Sequence, residues 1–391
     1  MIDYSKLISK HIQSIPPSGI RKFFDIAAEM KDAISLGVGE PDFVTPWVVR
    51  EAGIYSLEKG RTHYTANRGV AELREEISKY LKRKYTLQYD PKSEILVTVG
   101  GSEAIDLLIR AIISDGDEVL IPEPCFVCYK PCTIMAGGVP VTIETEEKDE
   151  FRLTPEKLLE KITERTKLLI LPFPNNPTGA VMSREDLEKI AKIVEEHNIF
   201  VLSDEIYSEL TYNGEHVSFA SIDGMRERTV TVNGFSKAFA MTGWRLGYAC
   251  GPEEVIKEMT KIHQYGIMSA PTTSQFAAIE ALRSCDDDVS YMVNEYNHRR
   301  RVMVDGFRKM GLHCFEPLGA FYVFPNITPT GFTSEEFATN LLYEKKVAVV
   351  PGTAFGSSGE GFVRCSYAYS IKNIETALER IGEFVEEHTK K

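Results

Sequence analysis

The chain is 391 residues long, with 43% hydrophobic and 26% charged residues, the balance of a globular protein large enough for two domains with their own cores. A formal net charge of −12, with no basic cluster larger than Arg299-Arg300-Arg301, argues against nucleic-acid binding. No apolar run approaches the roughly 18 residues of a membrane span. The stretch from Met1 to Lys10 lacks the order of a signal peptide, and 7 cysteines, an odd count, do not suggest a disulfide framework; a reduced, cytoplasmic chain without membrane partners is expected.

In chain order, residues 1–45 read as an N-terminal arm, irregular over 12–20 and helically spaced over 21–31. A short strand follows and runs into Gly37-Val38-Gly39-Glu40-Pro41-Asp42. Glycines there permit close backbone approach to a ligand, although a Gly-Pro loop is also an ordinary turn. A polar loop at 60–69, which holds Tyr64, precedes an amphipathic helix over 70–84. A strand at 94–99 enters Gly100-Gly101-Ser102-Glu103-Ala104, which opens a helix to 113. Strand, glycine turn and helix N-terminus together make an anion site, because unpaired N–H groups and the helix dipole face it. Such turns also occur without any ligand.

Strands are expected at 118–121, 139–143 and 167–172, with helices at 125–136 and 155–163 between them. Pro174-Asn175-Asn176-Pro177-Thr178-Gly179 then breaks the chain. Ser183 opens a helix to 197, with Asp186 in its first turn. A buried strand at 199–203 ends in Asp204-Glu205-Ile206-Tyr207. Strands at 229–233 and 246–250 flank Lys237, and a helix at 252–265 follows. Alternating strands and helices predict an α/β fold with a mostly parallel sheet covered by helices on both faces. Ligands bind such sheets beyond the strand C-termini, where the loops of Ser102, Asn176, Asp204 and Lys237 would meet. From 285 the pattern changes to a long helix to 310, strands at 320–324, 347–350 and 361–366, and helices at 334–345 and 371–388. The expected division is a large domain over 46–284, a smaller α+β domain over 285–391, and the arm packed with the latter.

Cys125, Cys128 and Cys132 have neither a second CxxC nor a nearby histidine, and read as buried thiols rather than metal ligands. The arginine triplet at 299–301 sits in a helical pattern and reads as a solvated face.

Most lysines are solvated surface residues, but the surroundings of Lys237 do not suit that reading. Small and apolar residues surround it, and Arg245 follows after one loop. A lysine in apolar surroundings has a lowered pKa and acts as an amine nucleophile toward carbonyls. An arginine nearby can hold a phosphate through parallel hydrogen bonds. A carbonyl-binding lysine beside a phosphate anchor points to pyridoxal 5'-phosphate. That cofactor needs a carboxylate at its ring nitrogen, for which Asp204 is placed, and donors at its ring hydroxyl oxygen, which Asn176 and Tyr207 supply. It also needs a phosphate cradle, from Arg245 and the helix start at Gly101, Ser102 and Glu103, and a flat side chain to stack on, for which Phe126 is the candidate. Taken singly, a strand-end aspartate is a turn residue more often than a ligand, and a lone phenylalanine is usually core.

The window Asn233–Tyr248, with Gly234, Phe235, Ser236, Lys237, Gly243, Arg245 and Gly247, resembles the lysine signature of the class I, fold-type I pyridoxal-phosphate aminotransferases. The Asn-Pro-Thr-Gly box at 176–179 and the Ser-Asp-Glu-x-Tyr box at 203–207 match the same family in the same order. The resemblance implies that Lys237 is the Schiff-base lysine and general base, and that Arg364 and Gly39 receive the substrate α-carboxylate together with Asn176. It further implies that Tyr64 reaches the phosphate of a neighbouring subunit in a homodimer with shared sites. Gly234 departs from the family, which often has a phosphate-binding serine there, so a contact is missing or replaced by a backbone N–H. The stretches 18–27, 233–248 and 349–356 resemble the aromatic amino acid aminotransferases of hyperthermophilic archaea, a subgroup that includes aspartate and broad-range enzymes. An aromatic donor with 2-oxoglutarate as acceptor is therefore expected, with aspartate as the alternative. A carbon–sulfur β-lyase would share the same lysine, aspartate and arginine. A cofactor-binding regulator would carry a DNA-binding domain, whereas this chain enters the enzyme pattern by about residue 30.

Overall fold

The computed structural model describes residues 2–17, 30 and 32–389; the helical spacing over 21–31 and the stretch 18–27 fall almost wholly outside them. The strands are β1 (Ile34–Ser35), β2 (Ile95–Thr98), β3 (Glu118–Glu123), β4 (Val139–Glu144), β5 (Thr166–Leu171), β6 (Phe200–Asp204), β7 (Thr229–Gly234), β8 (Gly247–Cys250), β9 (Tyr322–Val323), β10 (Val347–Ala348), β11 (Val350–Pro351) and β12 (Val363–Ser366). Seven form the main sheet in the order β2-β8-β7-β6-β5-β3-β4. β4, β3, β5, β6 and β7 run parallel, and β8 is antiparallel to both β7 and β2. The reversal at β8 has a consequence for chemistry. The chain leaves β7 at its C-terminal end, forms the loop that holds Lys237, and returns directly beside the same strand.

Both faces of the sheet are covered, which is why its strands are near-continuous apolar runs. Successive side chains alternate between faces. Ile170, Leu202 and Val232 pack under the helices Gly101–Ile112 and Glu253–Gly266. Leu169, Leu171 and Val201 pack with Leu187 and Ile190 of Arg184–Glu196 on the other face. That last helix starts as its sequence predicts, Ser183 and Asp186 forming a reciprocal capping box.

The later part of the chain holds the helices Asp286–Lys309, Ser334–Lys345 and Ile371–His388 and a small sheet β11-β12-β9. β1 pairs in parallel with β10, and the Leu36 carbonyl accepts from Ser366 N–H at 2.7 Å. Residues 34–36 are thus tied to strands more than 300 positions away. No helix among the described residues is long and apolar enough to cross a membrane.

Several expectations change. The strand at 320–324 is only Tyr322–Val323, and the helices at 125–136 and 155–163 contract to Tyr129–Met135 and Pro155–Leu159. Pro131 and Pro155 restrict where those helices can start. The helices Trp47–Glu58 and Thr272–Ser284 pack against one another and were not anticipated. Arg299 and Arg300 are not a solvated face. Both are buried, Arg299 on Asp42 at 2.8 and 2.9 Å and Arg300 on Glu316 at 2.8 Å, and only Arg301 is exposed. Arg300 also bonds Asn297 on its own helix, but the two carboxylates lie outside that helix, where helical periodicity cannot reveal them. All 7 cysteines are free thiols, Cys128 half-buried and the rest buried.

Candidate active site

A cavity of about 410 Å³ opens beyond the C-terminal ends of β2, β5, β6 and β7. Lys237, Asp204, Asn176 and Tyr207 all line it, as do Phe126 and Gly39. So do Gly101, Ser102, Arg245 and Arg364.

One end of the cavity is built on glycine contacts. Gly100 caps the helix Gly101–Ile112 with φ +78°, and a Cβ there would lie 2.8 Å from Arg245 Nη2. A Cβ on Gly247 would lie 2.6 Å from Gly100 C and Gly101 N, and one on Gly234 would lie 3.0 Å from Gly247 Cα. Backbone packs on backbone from Gly234 through Gly247 to the helix start, and the first N–H groups of that helix stay free of any side-chain cap from Gly100. A serine Cβ at 234 would crowd the paired strand, which would have to give by a few tenths of an ångström. The Gly234 N–H does not replace the missing hydroxyl, because Asn233 Oδ1 accepts it at 2.7 Å. Arg245 sits in the left-handed region at φ +52°, an uncommon position for a residue with a side chain, with Nη1 donating to the Thr242 carbonyl at 3.0 Å.

In the middle lie the amine and the carboxylate. Lys237 Nζ donates to the Gly39 carbonyl at 2.7 Å and lies 5.9 and 5.7 Å from the ring centroids of Tyr207 and Phe321. Burial pushes its pKa down to about 8, with Arg364 and Arg245 acting in the same direction and Glu40 opposing. Asp204 is buried, and loss of solvation pushes its carboxyl up to about 6, although Tyr129 Oη donates to Oδ2 at 2.7 Å and Ile206 N–H to Oδ1 at 3.2 Å.

At the other end, buried Arg364 donates from Nη1 to Asn176 Oδ1 at 2.8 Å and from Nη2 to the Gly37 carbonyl. Its guanidinium lies 4.4 Å from the Tyr322 ring centroid and 4.7 Å from that of Phe355. Arg364 Nε is buried without a partner among the described residues. Tyr322 Oη also bonds Tyr207 Oη at 2.8 Å, and a Cβ on Gly39 would lie 2.3 Å from it, so the loop approaches this closely only with glycine at 39.

Glu103 does not line the cavity, and Tyr64, expected to serve a neighbouring subunit, lies outside that of its own chain. Glu103 turns away, Oε1 to His263 Nδ1 at 2.7 Å and Oε2 to Val99 N–H at 2.5 Å, so its side chain is not a cofactor ligand. Tyr64 is 81% exposed and does not line the cavity of its own chain. Tyr129 and Tyr322 escaped the sequence reading, because an isolated tyrosine between apolar residues carries no signal of its partner.

The donor set fits pyridoxal phosphate on observations of this structure: a helix start without a side-chain cap beside an arginine, glycines at 100 and 247 where a Cβ would crowd that turn, a lysine amine, and a buried carboxylate short of counter-charge.

Residues 31–381 match a family model described as aminotransferase class I and II. The putative aminotransferase YugH of Bacillus subtilis is 53% identical over 382 residues, spanning 98% of this chain and 99% of that protein. The aspartate aminotransferase of Pyrococcus abyssi is 48% identical over 97% of this chain and 98% of its own length. Among solved structures, the aromatic aminotransferase of Pyrococcus horikoshii OT3 superposes with a TM-score of 0.90 at 46% identity, covering 94% of this chain and 99% of that one.

Proposed function

The chain belongs to the class I and II aminotransferases, and from that premise we propose a pyridoxal 5'-phosphate-dependent, cytoplasmic homodimer that moves the amino group of an aromatic L-amino acid to 2-oxoglutarate by a ping-pong scheme. One observation carries the assignment of roles. A lysine with a depressed pKa and an aspartate with an elevated one face the same cavity, an arrangement that divides base and proton-holding work between two groups.

When bound, the cofactor supplies an aldehyde that condenses with amines and a ring that withdraws electrons from the substrate Cα. Lys237 provides the amine, and near pH 8 a substantial share of it is neutral and able to take the Cα proton. Asp204 keeps the proton on the ring nitrogen, and binding of that cation would relieve its unfavourable burial. Asn176 and Tyr207 serve the ring hydroxyl oxygen, and Phe126 offers the flat surface. Gly101, Ser102 and Arg245 receive the phosphate, joined by Tyr64 of a neighbouring copy. Arg364, Asn176 and Gly39 fix the substrate α-carboxylate, the planar fork of Arg364 suiting a two-point grip. We read 46–284 as the large unit that holds the cofactor and 285–391, with the arm, as the small unit that brings Arg364.

The donor preference rests on charge. Lys237, Arg245 and Arg364 are the cations that line the cavity among the described residues, and each has a task. None remains for a distal carboxylate, while Phe126, Ile206 and Tyr322 offer apolar wall. The distal carboxylate of 2-oxoglutarate would need a cation from beyond these residues or stay hydrated at the cavity mouth. Aspartate is the second reading, favoured by the relative from Pyrococcus abyssi.

The test is a single half-reaction. The cofactor-loaded protein is mixed with one amino acid and no oxo acid, and release of the matching 2-oxo acid is timed. Faster release from phenylalanine or tyrosine than from aspartate supports the aromatic reading, and the reverse order replaces it. Lys237→Ala should lose turnover by at least about 10⁴-fold while retaining cofactor; wild-type turnover in that variant would sink the mechanism.

A further inference from the structure

Glu103 occupies the third position of the helix Gly101–Ile112, next to the phosphate cradle, yet its carboxylate points out of the cavity. Three observations define what it does there. Gly100, the capping residue, has no side chain, so nothing from that position ties the first turn. Glu103 Oε2 reaches back to the N–H of Val99, the residue between β2 and the glycine turn, as the third-position carboxylate of a capping box does one residue later. Glu103 Oε1 meets Nδ1 of His263, which is fully buried on the neighbouring helix Glu253–Gly266. His263 Nε2 has no partner among the described residues, so the hydrogen bonding of the imidazole is directed at Glu103.

A carboxylate in the first turn suits the helix dipole, but a second anion beside it is repelled. A phosphate-binding helix start therefore tolerates Glu103 only if something draws the carboxylate aside. His263 is placed to do so, and Val99 N–H uses the other oxygen to close the turn from 99 to 103.

Building on the cofactor assignment above, we propose that Glu103 and His263 are a pair of positioning residues for the phosphate of the cofactor: they hold the Gly100-Gly101-Ser102 turn with its N–H groups facing the phosphate and keep the carboxylate clear of it. Neither touches the phosphate. The pair matters for a phosphorylated ligand and is indifferent to the same ligand without its phosphate.

The experiment compares pyridoxal phosphate with pyridoxal, titrated into cofactor-free protein and followed by visible absorbance. Glu103→Leu should weaken pyridoxal phosphate by about tenfold or more and leave pyridoxal within about twofold. Glu103→Gln, which keeps an acceptor for Val99, should recover most of the loss. Equal losses for both ligands would mean an ordinary structural role and overturn the proposal, as would no loss for either. If Glu103→Leu does not fold, as judged by circular dichroism, the histidine decides alone. His263→Leu should show the same phosphate-selective loss, and His263→Asn, which retains an N–H near the Nδ1 position, should restore affinity; failure of that pattern overturns the proposal. Wild-type protein that binds neither ligand would instead overturn the cofactor reading itself, and this inference with it.

Discussion

Tyr129 Oη donates to Asp204 Oδ2 at 2.7 Å across 75 positions of sequence, and both side chains line the same cavity. The bond pulls the aspartate toward its charged form while burial pushes it the other way, and burial wins. The protein therefore holds a carboxylate at about 6 that is ready for a cation and is uncomfortable without one.

This gives a pH signature in the cofactor-free protein. The ordinary aspartate value is 3.8 and the folded one about 6. Between them the unfolded chain has released a proton that the folded chain keeps, so stability falls as pH rises through this window and stays lower above it. Asp204→Asn removes that titration. The cofactor-free variant should exceed wild type by up to about 3 kcal/mol at pH 8, at roughly 1.4 kcal/mol per pK step, and by nothing at pH 3. Urea unfolding at both pH values measures it. Tyr129→Phe removes the opposing hydrogen bond and should move the window upward.

Gly247 makes the proposed phosphate cradle testable without touching a polar group. A Cβ at 247 would lie 2.6 Å from Gly100 C and Gly101 N, closer than real contacts permit. Gly247→Ala must displace the helix start, with an overpacking cost of about 1–3 kcal/mol. Pyridoxal phosphate affinity should drop at least about tenfold; unchanged affinity would remove this turn from the site.

Arg364→Lys keeps the charge and loses the fork. The KM for the amino acid should rise by about 30- to 100-fold, the value of one strong charge-assisted contact, with the bound cofactor's absorbance unchanged. A drop in kcat at unchanged KM would place Arg364 elsewhere in the mechanism.

Arg299 grips Asp42 in the loop that also carries Gly39 and Glu40. Arg299→Met leaves that carboxylate unpaired. Because the Asp42 side chain is 27% exposed, the cost is discounted from the fully buried case to about 1–3 kcal/mol. Stability and KM should worsen together, and Asp42→Asn added to Arg299→Met should recover part of both. No change in thermal midpoint would show the pair to be dispensable.

The order of elements, the loops at strand ends and the convergence of Lys237, Asp204, Asn176 and Arg245 on one cavity were legible because each rests on local pattern: β-branched runs, glycine turns and short boxes read within a few residues. Glycine at 39, 234 and 247 was visible as glycine, but only the folded backbone shows which atoms a Cβ would meet. The direction of the Glu103 side chain is hidden from the sequence for the same reason. Its position at a helix start is local information, whereas its partner His263 lies 160 positions on.

The sequence by itself determined the sheet-and-helix alternation, the lysine at the centre of the proposed chemistry and the family, since hydrophobic periodicity and contiguous motifs are properties of neighbouring residues. Only the tertiary structure decided which polar groups are paired. Arg299 and Asp42 are 257 positions apart, Tyr207 and Tyr322 are 115 apart, and Arg364 and Asn176 are 188 apart. A buried polar group must find its partner wherever the fold brings one, and the position of that partner is set by the packing of whole elements rather than by the sequence around the group.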